Sequence, residues 1–167
     1  MLTQSRLKEL LHYDQQTGIF TRIKDACYKR EYVGKVAGCL NKRGYLQIYI
    51  DGKIYTNHRL AWLYMNGEFP KNKLFIDHID RNKTNNSYQN LRLATSAQNL
   101  QNKILARKDN LTSKILGVTW FKRDSKWQAE ICVNKKRIFL GRFKNLEDAK
   151  NAYLEAKKIH HPFAFND

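Results

Sequence analysis

Residues 74–78 read Leu-Phe-Ile-Asp-His, residues 91–94 read Leu-Arg-Leu-Ala, and Thr95-Ser-Ala-Gln98 follows at once. The first two are short apolar runs of strand composition. The third has the spacing of a capping box and starts a helix just before Ser96. Between the two runs, residues 80–90 are rich in Asn, Lys and Ser, which is loop composition. The element order is therefore strand, loop, strand, helix. That order can return the first turn of the helix, with Asn99, to the end of the first strand, with Asp77 and His78.

Working outward toward the N-terminus, Leu2, Leu7, Leu10 and Leu11 repeat with a helical period, so residues 3–12 are expected to form an amphipathic helix capped by Thr3. Ile19 to Ile23 alternates like a strand, and so does Tyr45 to Ile50. Asp51-Gly52 then separates the latter from Lys53–Thr56. Asp-Gly between two such runs is a strong hairpin signal, because both turn positions need positive φ. Leu46, Ile48 and Ile50 share one face, with Tyr45, Gln47 and Tyr49 on the other. Residues 59–66 read as a helix stopped by Gly67 and Pro70.

Toward the C-terminus, Trp127, Ala129, Ile131 and Val133 alternate with Gln128, Glu130 and Cys132. Asn134-Lys135 offers a tight turn into residues 136–143, where Ile138 and Leu140 face inward and Arg137 and Phe139 outward. After Asn145, a good N-cap, Ala149, Ala152, Tyr153 and Ala156 recur at helical spacing. This predicts a three-stranded antiparallel sheet packed on one helix, with the other sheet face open to solvent. An open face bearing Arg, Lys, Gln and aromatics suits a β reader of the DNA major groove.

The chain has 167 residues, with 31 Lys and Arg against 15 Asp and Glu, for a net charge of +16. A polyanionic partner is the first implication. The excess is distributed, at +5 over residues 1–57, +4 over 58–105 and +7 over 106–167, and basic residues are interleaved with aromatics. Folded basic faces fit this pattern better than a basic tail. No apolar run approaches the ~20 residues of a membrane span, and residues 1–14 lack a signal peptide's apolar region. The chain is expected in the cytoplasm where it is made, without a membrane or protein partner and, lacking a heptad or a large apolar patch, as a monomer. Cys27, Cys39 and Cys132 have no C-x-x-C spacing and read as reduced thiols.

Phosphodiester hydrolysis needs an activated water, a cation to stabilise charge on phosphorus and the leaving oxygen, and groups that position both. His78 has a pKa suited to general-base work, Asp77 is a hard oxygen ligand, and Asn99 offers an amide oxygen. His58, at the start of the 59–66 helix, reads as a buried, hydrogen-bonded histidine. Trp62, Trp120 and Trp127 read as core, and His160 and His161 as helix-end cations. Lys122, Arg123, Lys135 and Lys136 fall at strand ends suited to phosphate contact, which a solvated rim would also explain.

Asn57-His-Arg-Leu-Ala-Trp62, Asp77-His-Ile-Asp-Arg-Asn82, Asn86-Ser-Tyr-Gln-Asn-Leu-Arg-Leu-Ala-Thr95 and Gln98-Asn-Leu-Gln-Asn102 resemble the H-N-H homing endonucleases of phages. Gly117-Val-Thr-Trp120, Lys126-Trp-Gln-Ala-Glu-Ile131 and Leu140-Gly-Arg-Phe143 resemble the AP-two/ERF DNA-binding domain of plant transcription factors. The resemblance implies an α+β chain, with a ββα-metal (His-Me finger) nuclease unit over 1–106 whose motif core is 74–106. A basic linker over 107–115 and a three-stranded reader over 116–167 would follow.

By the same likeness His78 is the general base, Asp77 and Asn99 hold one Mg²⁺ or Mn²⁺ ion, and Asn90 braces the loop. The products would carry 5′-phosphate and 3′-hydroxyl ends. The reader would meet double-stranded DNA through Lys122, Arg123, Gln128, Glu130, Lys135, Lys136, Arg137 and Phe139. Arg81 stands where many relatives have glycine, and Leu116, Thr119 and Cys132 where plant readers carry arginines. A site-specific endonuclease is the function so implied, and a catalytically inactive DNA-binding regulator is the alternative.

Overall fold

The structure, a computed structural model, describes residues 1–24, 32–103 and 110–164. Cys27, part of the segment 107–115 and the last three residues lie outside the described residues. The chain divides into two compact units, Met1–Ala97 and Gln98–Asp167.

In the first unit, α1 (Gln4–Leu10) starts at Thr3, whose hydroxyl accepts from the Arg6 amide at 3.2 Å. Its Leu7 and Leu10 are buried. The chain then extends through β1 (Leu11–Tyr13) and β2 (Phe20–Arg22), which pair antiparallel, and β3 (Val36–Ala37) joins the far edge of β2. A second sheet of β4 (Cys39–Leu40), β5 (Leu46–Ile50) and β6 (Lys53–Thr56) contains the expected hairpin. Ile50 pairs with Lys53 across Asp51 and Gly52, whose φ values are +46° and +81°. Helix α2 (Asn57–Asn66) ends at left-handed Gly67, φ +81°. Leu7, Leu11, Phe20, Ile48, Leu60 and Leu63 are wholly buried in the core of this unit. Truncating such a leucine to alanine costs about 2–5 kcal/mol.

β7 (Phe75–His78) and β8 (Leu91–Ala94) form a separate two-stranded antiparallel ribbon with Asp77 opposite Arg92 and His78 opposite Leu91. A single 3₁₀ turn at Tyr88–Asn90 leads into β8, and α3 (Ser96–Gln101) follows it. The strand, loop, strand, helix order read from the sequence is the one observed.

The second unit contains β9 (Val118–Phe121), β10 (Lys126–Val133) and β11 (Lys136–Phe143), antiparallel in the order β11-β10-β9. Asn134 and Lys135 both have positive φ, +49° and +67°, and make the two-residue turn between β10 and β11. A bulge opposite Ala129 and Glu130 takes in Leu140, so the register shifts by one residue there. Ala149, Tyr153 and Ala156 of α4 (Leu146–His160) pack with Val118, Ala129 and Ile131 as the core. Gly117, φ +75°, lies so close to the Tyr153 ring that a Cβ would sit 2.2 Å from it.

Composition places a linker at 107–115, and by backbone packing the chain divides after Ala97. Asn102 is buried, the Lys157 ammonium donates to the Lys103 carbonyl at 2.7 Å, and the Asn110 amide donates to the carbonyls of Ile115 and Val118. These polar contacts tie residues with loop composition to the second unit. His161, expected as a helix-end cation, is a buried anchor whose Nε2 meets the Cys132 carbonyl at 2.9 Å.

Candidate active site

β7 delivers Asp77 and His78 as buried side chains, 8% and 5% exposed. Neither is in the apolar core, and each is met by polar groups. Arg92, across the ladder, donates to Asp77 Oδ2 from Nε at 3.2 Å and from Nη2 at 3.1 Å. This pairing follows from the register, because the Asp77 and Arg92 side chains share a face of the ribbon.

The loop after His78 is closed at its neck by Asn90, 9% exposed. Its Oδ1 accepts from the Asp80 amide at 3.0 Å, while its Nδ2 donates to Asp80 Oδ1 and the Asn85 carbonyl, both at 2.8 Å. The Ile79 amide also donates to the Asn90 carbonyl at 2.9 Å, which extends the ladder by one rung. Burial alone would raise the Asp80 pKa, but donors from Asn85, Asn90 and the Asn82 amide outweigh it and hold the carboxyl below its usual range. Arg81 turns the chain in the left-handed region, φ +66°, which is the conformation a glycine there would adopt without strain.

His78 lies in a ring cluster. The His58 ring, from the first turn of α2, stands edge-on to it at 5.1 Å between centroids and an interplanar angle of 77°. Tyr45 lies 5.2 Å from His58 and 6.1 Å from His78. Lys83 sits over the Tyr45 ring at 4.9 Å and donates to the Arg43 carbonyl at 2.9 Å. His78 Nε2 lies 3.1 Å from Asn86 Oδ1.

Burial lowers the His78 pKa, opposed by the Asn86 hydrogen bond and the negative charges of Asp80 and Asp77. His58 is pushed down to about 3 by burial, with the positive charges of His78 and Arg59 adding to it. Both imidazoles are therefore neutral near pH 7, the state in which a ring nitrogen can accept a proton. His58 Nε2 meets the Thr56 hydroxyl at 3.2 Å, and its buried Nδ1 has no hydrogen-bond partner among the described residues.

Asn99 is half-buried on α3, where the chain passes into its second unit. On the sheet of that unit, Lys122, Arg123, Lys135, Lys136, Arg137 and Phe139 are exposed, and Gln128 and Glu130 half-buried. Register places Gln128 beside Arg142, Glu130 beside Phe139 and Cys132 beside Arg137 on the face away from α4. Arg142 sits 3.7 Å above the Phe121 ring, donates to Gln128 Oε1 at 3.1 Å and pairs with Asp124. Gln128 in turn donates to Glu130 at 2.5 Å. Trp127 packs against the core of the unit, while Trp120, stacked edge-on to it at 4.9 Å, is 37% exposed and is not the core residue expected.

Residues 55–101, which span His58, Asp77, His78, Asn90 and Asn99, match the model of an HNH endonuclease family. Protein 3.8 of Escherichia phage T7 is 32% identical over 123 residues, covering 74% of this chain and 97% of the phage protein. Residues 55–101 are thus an HNH endonuclease segment. HNH endonucleases are hydrolases that cut DNA and use a divalent metal ion. An uncharacterized HNH endonuclease, L560 of Acanthamoeba polyphaga mimivirus, is 42% identical over 71 residues. That match covers 42% of this chain but only 37% of the viral relative's length. A solved structure of DNA binding and cleavage by the HNH homing endonuclease I-HmuI aligns at 30% identity and a TM-score of 0.43, over 56% of this chain and 51% of that one.

Four residues at this site carried no role in the sequence reading: Arg92, Asn86, Tyr45 and Asp80. Pairing the two strands by their lengths would have exposed Arg92, which lies directly opposite Asp77. Asn86 lies in an irregular loop, where spacing has no period to follow.

Proposed function

We propose that this chain is a metal-dependent, site-specific DNA endonuclease of homing type, with Asp77, His78, Asn90 and Asn99 in a ββα-metal nuclease site and the sheet of the second unit as its DNA reader. The observation that carries the reading is His78 at the end of β7, buried, neutral and oriented, beside a carboxylate that Arg92 holds in place.

Among the described residues, no three His, Cys, Asp or Glu side chains gather as a metal cage. By the family resemblance, Asp77 would supply one carboxylate oxygen and Asn99 one amide oxygen, a sparse, hard donor set. It suits Mg²⁺ or Mn²⁺, which keep several ligand positions for water and phosphate, and does not suit structural Zn²⁺. Bound there, the ion would stabilise negative charge on the phosphate and on the departing 3′ oxygen.

His78 takes the proton of the attacking water. Asn90 holds the loop neck, so that Asp77, His78 and the turn through Arg81 keep one geometry. The basic excess of the chain offsets the charge of the DNA backbone, a contribution that weakens as salt rises. On the second unit, Lys122, Arg123, Lys135 and Lys136 would contact phosphates, and Gln128, Glu130, Arg137 and Phe139 would face base edges. The Arg142–Gln128–Glu130 chain of hydrogen bonds would hold that face in one arrangement.

Supercoiled plasmid tests the reading. Incubation with Mg²⁺ or Mn²⁺ converts it to open-circle or linear form, and EDTA stops the conversion. Binding without conversion in either metal would leave only the regulator.

A further inference from the structure

We infer that Asn86 is the positioning residue that decides which nitrogen of His78 carries the proton, and that the turn at residues 13–18 holds Asn86 in place to do so. The inference rests on His78 being the proton acceptor proposed above.

Asn86 is 1% exposed. Its Nδ2 donates to the Thr84 carbonyl at 3.0 Å. A carbonyl only accepts, so the amide has one workable orientation, with Oδ1 toward His78. A flipped amide would set two oxygens against each other at Thr84. Oδ1 lies 3.1 Å from His78 Nε2 and also only accepts. Nε2 must therefore carry the hydrogen, and the lone pair of the neutral ring is on Nδ1.

The Asn86 hydrogen bond survives when Nδ1 takes up a proton, since Nε2–H donates in both states. Asn86 is uncharged, so it fixes the ring without drawing the imidazolium into a salt bridge.

The backbone around Asn86 is held from a distant part of the chain. The Tyr13 hydroxyl donates to the Asn86 carbonyl at 2.7 Å, and the Tyr88 amide donates to the Gln15 carbonyl at 2.9 Å. Burial pushes the Tyr13 phenol above its usual range and keeps it a donor. Gly18, at φ +74°, lies against the peptide that follows Asn86, where a Cβ would stand 2.2 Å from the Asn86 carbonyl carbon and 2.3 Å from the Ser87 nitrogen. Three contacts from residues 13–18 thus fix residues 86–88.

Two-bond ¹H–¹⁵N correlation spectra of the full chain, labelled at histidine and recorded near pH 8, report the tautomer directly. His78→Gln identifies the His78 signals by their loss. The expected wild-type pattern is the single Nε2–H tautomer. Asn86→Leu, which keeps the volume and removes the acceptor, is expected to give a mixture, with kcat lowered about 10–100-fold and DNA affinity unchanged. An Nδ1–H or mixed pattern in the wild-type protein would overturn the inference without any variant. So would an unchanged pattern in Asn86→Leu. Neither readout involves DNA cutting, so a negative plasmid assay bears on the nuclease reading alone.

Discussion

Gly18→Ala is the sharpest perturbation of the link between the N-terminal turn and the site. The added Cβ meets three backbone atoms, Asn86 C at 2.2 Å, Ser87 N at 2.3 Å and Asn86 O at 2.7 Å, none of which can rotate away as a side-chain tip would. The left-handed conformation costs an L-residue about 1–2 kcal/mol, and overpacking adds about 1–3 kcal/mol. Displacing Asn86 also weakens the Tyr13 hydrogen bond, worth about 1 kcal/mol. Together these predict a loss of about 3–6 kcal/mol.

Gly52→Ala is the control. Gly52 has nearly the same backbone, φ +81°, with nothing among the described residues within 4 Å of its Cβ position, so only the same conformational cost of about 1–2 kcal/mol applies. Native-state amide exchange in β5 and α2 reads the first unit directly. The difference of about 2–4 kcal/mol corresponds to amides opening roughly thirty-fold or more as often in Gly18→Ala. Equal exchange rates in the two variants would refute the close approach and the clamp built on it.

Arg92→Ala strips a donor pair from an Asp77 carboxylate that is 8% exposed. It is expected to cost about 1–3 kcal/mol of stability in urea unfolding and to weaken cleavage more than DNA binding. Acid destabilisation is the next expectation, because His58 has a folded pKa near 3, below its unfolded value of about 6.5. The unfolded chain binds the extra proton between those values, so the stability is complete above about pH 6.5 and falls as pH drops toward 3. The loss from His58 is about 2 kcal/mol by pH 5. His78, lowered in the same direction, adds to it. His58→Phe should show a smaller loss in Tm between pH 7 and pH 5 than the wild-type protein. On the sheet, Lys135→Ala with Lys136→Ala is expected to reduce the slope of log affinity against log salt by about 2, measured by titration of a labelled duplex.

Much of the site was legible because local patterns coincide with its parts. The apolar run at 91–94 is β8 to the residue, and the Thr95 capping box places the start of α3. Asp77 and His78 end a strand in both readings. What stayed hidden depends on contacts distant in sequence. Asn86 takes its meaning from His78, eight residues away, and from Tyr13, seventy-three residues away. His58 read as an ordinary helix-start histidine because nothing in residues 57–62 shows the edge-on ring of His78.

The linker at 107–115 rests on composition alone. Residues with loop composition can be anchored by polar contacts, as Lys103 is by Lys157, and composition does not register those. Arg81 shows the opposite case. A non-glycine residue takes up the left-handed turn at the position where the resemblance leads one to expect glycine.

The central claim is that His78 performs the chemistry and is not needed for grip on DNA. Single-turnover cleavage of supercoiled plasmid by His78→Ala, at protein concentrations that saturate the DNA, tests it most directly. Removing the general base is expected to slow strand cutting by about 10²–10⁴-fold while the Kd for the same DNA stays within a few-fold of wild type. Cutting by His78→Ala at the wild-type rate would contradict the account.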